Sequence, residues 1–353
     1  MKVGFIGLGN VGGKLAGSIL RNGFDLTVRD LDDALVQDFV NRGASKADSP
    51  KELAQTCDIV ITCLPSPAAC SQVMEAEDGV LAGLSEGKIW AEMSTTDEAE
   101  IKRIAERVRA KGASPIECPV SGGCHRAATG NISIFAGCDR ATFERMLPML
   151  TTLGRRVLHT GDIGTASVLK VMTNYLATAN LLTLSEAMVT MKAAGIDMAT
   201  TYAAITISSG TSFVAETEGQ VILNGGRDIS FTMDLVKKDI GLFQKIANDN
   251  AVPLEISPLM VDIFDDGIER YGPRELSPNI IRRLEDATGL KVLADGFPDE
   301  LFDDEPEEPG YEVVPVSPTA TTAEPAGSGL DEDTRQAQQE IGLPQYLKEQ
   351  TWN

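Results

Sequence analysis

The sequence predicts an α/β protein in which an N-terminal Rossmann-type, doubly wound parallel sheet is followed by an all-α domain. Up to about residue 160, short apolar runs alternate with amphipathic segments, as strands and their covering helices do in such a sheet. A glycine-rich turn follows the first apolar run, as at the start of a βαβ unit. Beyond Gly161 the alternation disappears and small and apolar residues dominate, which indicates helices.

The individual elements follow from these patterns. The candidate strands are short apolar runs at 3–6, 26–29, 58–63, 88–91, 114–117, 132–136 and 156–159. Segment 97–110 starts with acidic and ends with basic residues, which suits a helix dipole. From Thr165 to Met191 the only charged residues are Lys170 and Glu186, so we expect a long buried helix that joins two domains. Further helices are expected at 197–208, 213–224, 232–248, 254–270 and 277–288.

We expect a sheet domain at 1–162, an all-helical domain at 163–295, and an acidic tail at 296–353. The tail holds 14 acidic and two basic residues, which is −12 of the formal net charge of −21. Residues 303–335 contain too little apolar surface to order themselves unaided, so a disordered tail is expected. Segment 343–347 is more apolar and could dock, but we expect it to be mobile.

Composition excludes several classes of partner. The acidic balance argues against nucleic acid or an anionic membrane as a partner. The first strand begins at Lys2, which leaves no room for a signal peptide and predicts a cytoplasmic protein. The six cysteines contain no C-x-x-C pair, so we expect reduced, structural thiols and no metal site.

The first thirty residues predict a dinucleotide site. A strand leads into G-x-G-x-x-G and then a helix, and the predicted contacts are Gly7, Leu8, Gly9, Asn10, Val11 and Gly12. The free N–H groups at the start of the helix suit a pyrophosphate. Asp30 closes the second apolar run, where its carboxylate would accept hydrogen bonds from the adenosine ribose and repel a 2′-phosphate. The cofactor is therefore predicted to be NAD, with 1–162 as the NAD-binding domain and 163–295 as the substrate and oligomerisation domain.

Five stretches in a fixed order indicate a family. They are Gly7–Gly12, Glu92-Met93-Ser94-Thr95, Pro119-Val120-Ser121-Gly122-Gly123, Gly161-x-x-Gly164 with Lys170-x-x-x-Asn174, and Lys238-Asp239. Over residues 1–295 the chain resembles the β-hydroxyacid dehydrogenases, which include 3-hydroxyisobutyrate dehydrogenase and tartronate semialdehyde reductase. The resemblance implies an oxidoreductase that acts on a small carboxylate-bearing substrate.

Lys170 is the candidate catalytic residue. An ammonium in an apolar helix is costly unless it has a partner or a function, and burial lowers a lysine pKa toward neutral pH. The resemblance implies that Lys170 donates a proton to the carbonyl oxygen in reduction and accepts the alcohol proton in oxidation. The alternative is a lysine near the helix start whose ammonium extends to solvent.

Two further groups are predicted to bind the substrate. Ser121, Gly122 and Gly123 can present backbone N–H groups and a hydroxyl to an anion, and the resemblance implies that this anion is the substrate carboxylate. Asn174 lies four residues after Lys170, so both can share a helix face. The resemblance implies that Asn174 holds substrate or orients the lysine. The alternative for the Ser121–Gly123 loop is a plain turn, and the alternative for Asn174 is an ordinary polar contact between the domains.

The remaining candidates are predicted to contact the cofactor. Thr95 ends an apolar stretch at the carboxyl edge of the sheet, and by resemblance it lies near the nicotinamide. Leu64 and Pro65 follow the strand at 58–63 and are given a similar role. Lys238 matches a family lysine that reaches across from the helical domain. Without the resemblance, Thr95, Leu64 and Pro65 would be explained as turn and core residues, and Lys238 as part of a solvated helix face.

One loop departs from the family pattern. The family loop usually runs Gly-Gly-x-x-Gly-Ala, whereas here Gly123 is followed by Cys124-His125-Arg126-Ala127, so Arg126 replaces a small residue and His125 lies beside it. Two cations beside a carboxylate loop could favour a second anionic group on the substrate, or both could point to solvent. Segment 207–216 is the best candidate for the pocket that receives the substrate side chain.

The sequence therefore predicts an NAD-dependent oxidoreductase that interconverts a small 3-hydroxy acid and its semialdehyde, like 3-hydroxyisobutyrate dehydrogenase. One alternative is an NADPH-dependent reductase of aldehyde acids such as glyoxylate or succinic semialdehyde, although Asp30 argues against it. Another is a non-catalytic NAD-binding scaffold, against which Lys170 argues. The apolar linking helix predicts a homodimer or a homotetramer.

Overall fold

Ten strands within residues 1–315, the part of the chain that the computed structural model describes, form one sheet. They are β1 Lys2–Ile6, β2 Asp25–Arg29, β3 Ser45–Lys46, β4 Ile59–Thr62, β5 Ile89–Glu92, β6 Ser114–Glu117, β7 Val120–Ser121, β8 Ile132–Gly137, β9 Gly154–Gly161 and β10 Tyr311–Val313. All seven predicted strands are present. Strands β3 and β7 escaped prediction because two residues are too few to leave an apolar pattern.

The sheet order is β10-β9-β8-β6-β5-β4-β1-β2-β3, with β7 paired to β8. Strands β1 to β6 run parallel, which confirms the predicted doubly wound sheet. Since β1 lies between β2 and β4, the chain reverses its direction of winding there, and a crevice opens at the carboxyl ends of these strands. Strands β8 to β10 run in the opposite direction, and the reversal occurs at the antiparallel pair of Glu117 and Gly137.

Eight helices accompany the sheet. They are α1 Asn10–Arg21, α2 Asp33–Asn41, α3 Pro50–Thr56, α4 Pro67–Glu75, α5 Val80–Gly83, α6 Glu98–Arg109, α7 Gly123–Thr129 and α8 Arg140–Leu153. The predicted helix at 97–110 is confirmed as α6. Its first turn is capped by the side chain of Asp97, and basic residues occupy its last turn.

The second half of the described chain is helical, as predicted. After α9, Thr165–Ala193, come α10 Met198–Thr206, α11 Phe213–Asn224, α12 Met233–Asp249, α13 Ile256–Tyr271, a 3₁₀ helix Ser277–Ile281 and α14 Arg282–Thr288. The 29 residues of α9 pack against both the sheet and the later helices, which explains their shortage of charge. No helix within residues 1–315 has the length and apolarity needed to cross a membrane.

The apolar core has two parts. One surrounds the sheet and includes Phe5, Trp90 and Phe143, and the other lies among the helices and includes Met188 and Phe264. Contacts nevertheless join residues 1–313 into a single unit. The division of the chain at residues 162 and 295 remains a prediction.

The expectation of disorder from residue 303 is wrong for residues 303–313. Asp303 and Glu305 bind side chains of the sheet domain, and Tyr311–Val313 pairs with β9 as the parallel edge strand β10. Composition indicated correctly that this segment cannot bury much apolar surface. It did not indicate that ion pairs and backbone hydrogen bonds to another part of the chain would order it. Residues 316–335 and segment 343–347 lie outside the described residues.

Candidate active site

The glycine loop after β1 has the shape that a dinucleotide needs. Gly7 has a φ of +98°, which favours glycine, and a Cβ on Gly12 would clash with the carbonyl oxygen of Gly7. A Cβ on Gly9 would meet no atom within 4 Å, so this backbone faces open space. Helix α1 begins directly after it without a side-chain cap, which leaves its first N–H groups free for a phosphate. This loop fits a pyrophosphate.

Asp30 lies at the carboxyl end of β2, beside the same loop. Its Oδ2 accepts a hydrogen bond from the N–H of Leu8 at 2.5 Å, and its Oδ1 accepts one from the N–H of Asp32 at 2.9 Å. These bonds hold the carboxylate at the rim of the crevice. The guanidinium of Arg29 turns back to donate to the carbonyl oxygen of Asp30. An acidic group at this position fits the ribose of an adenosine.

One cavity of about 1560 Å³ brings the predicted residues together. Those that line it are Gly7, Gly9, Asn10, Val11, Gly12, Asp30, Leu64, Pro65, Thr95, Ser121, Gly122, Gly123, Lys170, Asn174 and Lys238. Leu8 is buried and takes part only through the hydrogen bond from its backbone N–H to Asp30. From segment 207–216, Phe213 and Val214 line the cavity, and Thr217 and Glu218 extend this wall along α11.

Lys170 points into this cavity from the second turn of α9. Its side chain is buried, and its Nζ donates to Asn174 Oδ1 at 2.7 Å, so the two residues share one helix face as predicted. Burial lowers the pKa of Lys170 to about 8, while the carboxylate of Asp239 raises it and the ammonium of Lys238 lowers it. An amine with a pKa near 8 can both donate and accept a proton close to neutral pH.

A chain of polar contacts links Lys170 to the sheet domain. Asn174 Nδ2 donates to Asp239 Oδ2 at 2.6 Å, and the ammonium of Lys238 forms an ion pair with Asp239 Oδ1 at 2.8 Å. Lys238 Nζ also donates to the carbonyl oxygen of Thr95 at 3.1 Å. The buried Asp239 therefore connects Lys170, through Asn174, with Lys238, which contacts the sheet domain. In the sequence, the Lys238-Asp239 pair indicated the family, but no role for Asp239 could be predicted from it.

Glu117 is a second residue that the sequence analysis missed. It ends β6, is fully buried, and accepts hydrogen bonds from the N–H groups of Gly164 at 2.5 Å, Ala166 at 2.9 Å and Ser167 at 3.1 Å. Burial raises the pKa of Glu117, and the hydrogen bonds lower it. Its carboxylate thus caps the start of α9 and fixes the helix that carries Lys170. An acidic residue at the end of an apolar strand was the available signal.

Glu92 supports the neighbouring strand ends in a similar way. Its buried carboxylate accepts hydrogen bonds from Thr62 at 2.8 Å and from the N–H of Ser94 at 2.7 Å. The hydroxyl of Ser94 also donates to Glu92, and its oxygen accepts a bond from the N–H of Leu64 at 2.7 Å. This network fixes the loops that carry Leu64 and Thr95.

The candidate carboxylate loop joins β7 to α7. Gly122 and Gly123 have φ values of +131° and +85°, which explains the two glycines. His125 and Arg126 follow in α7 and also line the cavity. Burial lowers the pKa of His125, with a further contribution from the charge of Arg126, so this imidazole is neutral at neutral pH. Arg126 is paired with Glu305 at 2.9 Å. In this loop, therefore, His125 and Arg126 are not the two unpaired cations that the sequence suggested.

The fold and this cavity define a dinucleotide-binding dehydrogenase. The NAD-binding domain of 6-phosphogluconate dehydrogenase matches residues 2–161, and the NAD-binding domain of NADP-dependent 3-hydroxyisobutyrate dehydrogenase matches residues 164–284. The chain is 32% identical to 2-(hydroxymethyl)glutarate dehydrogenase of Eubacterium barkeri, a match that covers 83% of this chain and 97% of that relative. It is 30% identical to the NAD-dependent L-serine dehydrogenase of Pseudomonas aeruginosa, over 81% of this chain and 98% of that relative.

A solved structure leads to the same family. The crystal structure of 3-hydroxyisobutyrate dehydrogenase from Salmonella typhimurium is similar with a TM-score of 0.73 and 27% identity, over 80% of this chain and 99% of that one. The chain belongs to the β-hydroxyacid dehydrogenase family, and it is an oxidoreductase with a nicotinamide cofactor site.

Proposed function

We propose that the protein interconverts a small 3-hydroxy acid and its semialdehyde with NAD, and that Lys170 is the general acid and base. The observation that carries this proposal is the buried Lys170 amine, with a pKa of about 8, in the same cavity as the glycine loop. A scaffold that only bound a dinucleotide would have no use for a buried amine at this position, because burying it is costly.

We assign a different role in the reaction to each group of residues in the cavity. A bound nicotinamide supplies or accepts the hydride. Ser121, Gly122 and Gly123 bind the substrate carboxylate through the hydroxyl and backbone N–H groups. Lys170 then takes the proton from the substrate hydroxyl in oxidation, or returns it to the carbonyl oxygen in reduction. Asn174 orients the Lys170 ammonium through its 2.7 Å hydrogen bond.

Each part of the dinucleotide is likewise assigned to its own residues of the cavity. We assign the pyrophosphate to Gly7–Gly12, the adenosine ribose to Asp30, and the nicotinamide surroundings to Leu64, Pro65 and Thr95. Lys238 lies beside Thr95 and closes this region from the helical side. Asp30 supports NAD over NADP, because its carboxylate would repel a 2′-phosphate. Arg29 also lines the cavity, and its guanidinium donates to the Asp30 carbonyl oxygen, so its positive charge lies beside the Asp30 carboxylate and weakens this preference.

A substrate screen tests the proposal. Initial rates are followed by NADH fluorescence with 3-hydroxyisobutyrate, L-serine, 2-(hydroxymethyl)glutarate and other hydroxy acids, and each is repeated with NADP. We expect turnover of at least one 3-hydroxy acid, with a higher kcat/KM for NAD than for NADP. A preference for NADPH with glyoxylate or succinic semialdehyde would support the rival reductase. Dinucleotide binding without turnover of any acid would support the scaffold.

We also propose a cytoplasmic homo-oligomer, a dimer or a tetramer. Large apolar side chains such as Ile207, Ile256 and Leu259 are exposed on the helical part of the single chain, and a second copy would bury them. Sedimentation of the purified protein measures the oligomeric state, and a monomer at micromolar concentration would refute this part.

A further inference from the structure

Residues 299–313, here named the C-terminal strap, form part of the wall of the candidate active site. Glu300, Leu301, Phe302 and Asp303 line the same cavity as Lys170. The match to the family ends at residue 284, so the strap is additional to the family domains. An acidic segment at a cavity that receives a carboxylate needs a physical explanation, because like charges repel.

Asp303 anchors the first end of the strap. Its side chain is 1% exposed, and it accepts hydrogen bonds from the hydroxyl of Thr129 and from Asn131 Nδ2, the latter at 2.7 Å. Asn131 is itself buried, and its Nδ2 also donates to the carbonyl oxygen of Glu305 at 2.9 Å. A carboxylate held by two donors in a buried site is a built contact rather than a chance encounter of a tail with a surface.

The far end is fixed to the sheet. Tyr311–Val313 pairs with β9, and Arg140 Nη1 donates to Glu312 Oε1 at 2.6 Å. A Cβ on Gly310 would clash with the carbonyl oxygen of Gly154, so the strap lies directly against the backbone of β9. Anchored at both ends, the strap holds Asp303 at the cavity and Glu305 beside Arg126.

The strap neutralises Arg126. One guanidinium nitrogen lies 2.9 Å from Glu305 Oε1, and the Nε lies 3.8 Å from Asp303 Oδ1. The same guanidinium stacks on the ring of Phe213, 4.9 Å from its centroid, so it spans from α7 to the helical wall. Without the strap, Arg126 would be a cation facing a cavity already equipped for one carboxylate.

We propose that the C-terminal strap is a specificity element that excludes substrates with a second carboxylate. Asp303 and Glu305 already pair with Arg126, the cation that a second substrate carboxylate would need, and Glu300 adds negative charge to this wall. The site therefore selects hydroxy acids with a single carboxylate and an uncharged or cationic substituent. This inference depends on the proposed function in that it concerns the substrate of the same cavity.

The test compares one monocarboxylic and one dicarboxylic ligand. The double variant Asp303→Asn/Glu305→Gln keeps the size of both side chains and removes both charges. We expect the ratio of kcat/KM for 2-(hydroxymethyl)glutarate to that for 3-hydroxyisobutyrate to rise at least ten-fold. Calorimetry of the full chain with glutarate and with butyrate, with and without NAD, should give a similar gain in relative affinity. Glu308→Gln is the matched control, because Glu308 belongs to the strap but pairs with Arg155 away from the cavity.

Two further variants separate the possible causes. Adding Arg126→Leu to the double variant should abolish the gain, because the freed guanidinium is what would bind the second carboxylate. Glu305→Gln alone leaves the buried Asp303 in place, so a smaller gain there shows that the result does not depend on a disturbed fold. A gain in glutarate affinity without turnover of any acid would refute the proposed function and support the strap. Unchanged selectivity in the double and single variants, with hydroxy acid turnover intact, would overturn the strap and leave the proposed function standing.

Discussion

Asp239→Asn should move the pH dependence of catalysis without removing the catalytic amine. Asp239 is buried, accepts a hydrogen bond from Asn174 and pairs with Lys238. It is the carboxylate that raises the pKa of Lys170 against the effect of burial. Replacing it with asparagine keeps the shape and removes the charge, so the Lys170 ammonium loses stabilisation. The pKa of Lys170 should therefore fall.

The size of the change follows from the geometry. One amide separates the two charges, with hydrogen bonds of 2.7 Å and 2.6 Å on its two sides. At a separation of ~6 Å and an effective dielectric constant of about 20, Coulomb's law gives roughly 2 to 3 kcal/mol, or about one to two pH units after relaxation. Lys238, freed from its partner, lowers the pKa of Lys170 in the same direction.

The assay is the pH profile of kcat/KM for oxidation of the best hydroxy acid from the screen. Oxidation needs the neutral amine, so the rate of the unaltered protein should rise with pH and level off above about 8, the pKa of Lys170. In the variant this inflection should lie about one to two pH units lower. Reduction needs the ammonium, so its profile should fall over the same range.

Asp265→Asn is the matched control, because Asp265 pairs with Lys237 on the exposed side of α12. Its inflection should not move. An unchanged inflection in Asp239→Asn, with activity retained, would mean that Lys170 is not the titrating group or is not coupled to Asp239. That result would refute the reasoning under both explanations.

Three further predictions concern the cofactor loop and the substrate wall. Gly12→Ala should weaken NADH binding at least ten-fold in a fluorescence titration, because the added Cβ would clash with the Gly7 carbonyl oxygen. Gly17→Ala is the control and should bind NADH normally, because its Cβ would meet only the end of a flexible side chain at 3.1 Å. Asp30→Ser should lower the kcat/KM ratio of NAD to NADP at least ten-fold, and an unchanged ratio would remove Asp30 from the cofactor site. Burial raises the pKa of Glu218 from 4.5 to about 8, so its contribution to stability is present at low pH and is lost as pH rises through 8. Glu218→Gln should therefore raise Tm by a few degrees at pH 9 and leave it nearly unchanged at pH 4, a difference worth on the order of a few kcal/mol; equal effects at both pH values would contradict it.

The fold was readable from the sequence because its elements leave local patterns. Each of these patterns depends only on residues that are adjacent in sequence. They are the seven apolar runs, the glycine turn and the charge-poor segment of α9. The position of Lys170 could also be recognised, since a single ammonium in an apolar helix stands out.

The parts that escaped prediction depend on contacts between distant residues. Glu117 caps a helix that begins 48 residues later, and its place at the end of an apolar strand does not show which helix it caps. Asp239 acts through Asn174, 65 positions away. Asp303 binds Asn131 across 172 positions, so a composition argument that weighed only the tail's own residues missed its order.

The central claim is that one buried amine moves the proton. Lys170→Ala, assayed for kcat and titrated with NADH, tests it directly. We expect NADH to bind within a few-fold of the unaltered affinity while kcat falls by at least 10³-fold, since this group acts only on the reacting oxygen. Turnover at the unaltered rate, with cofactor binding intact, would assign the proton transfer to another residue.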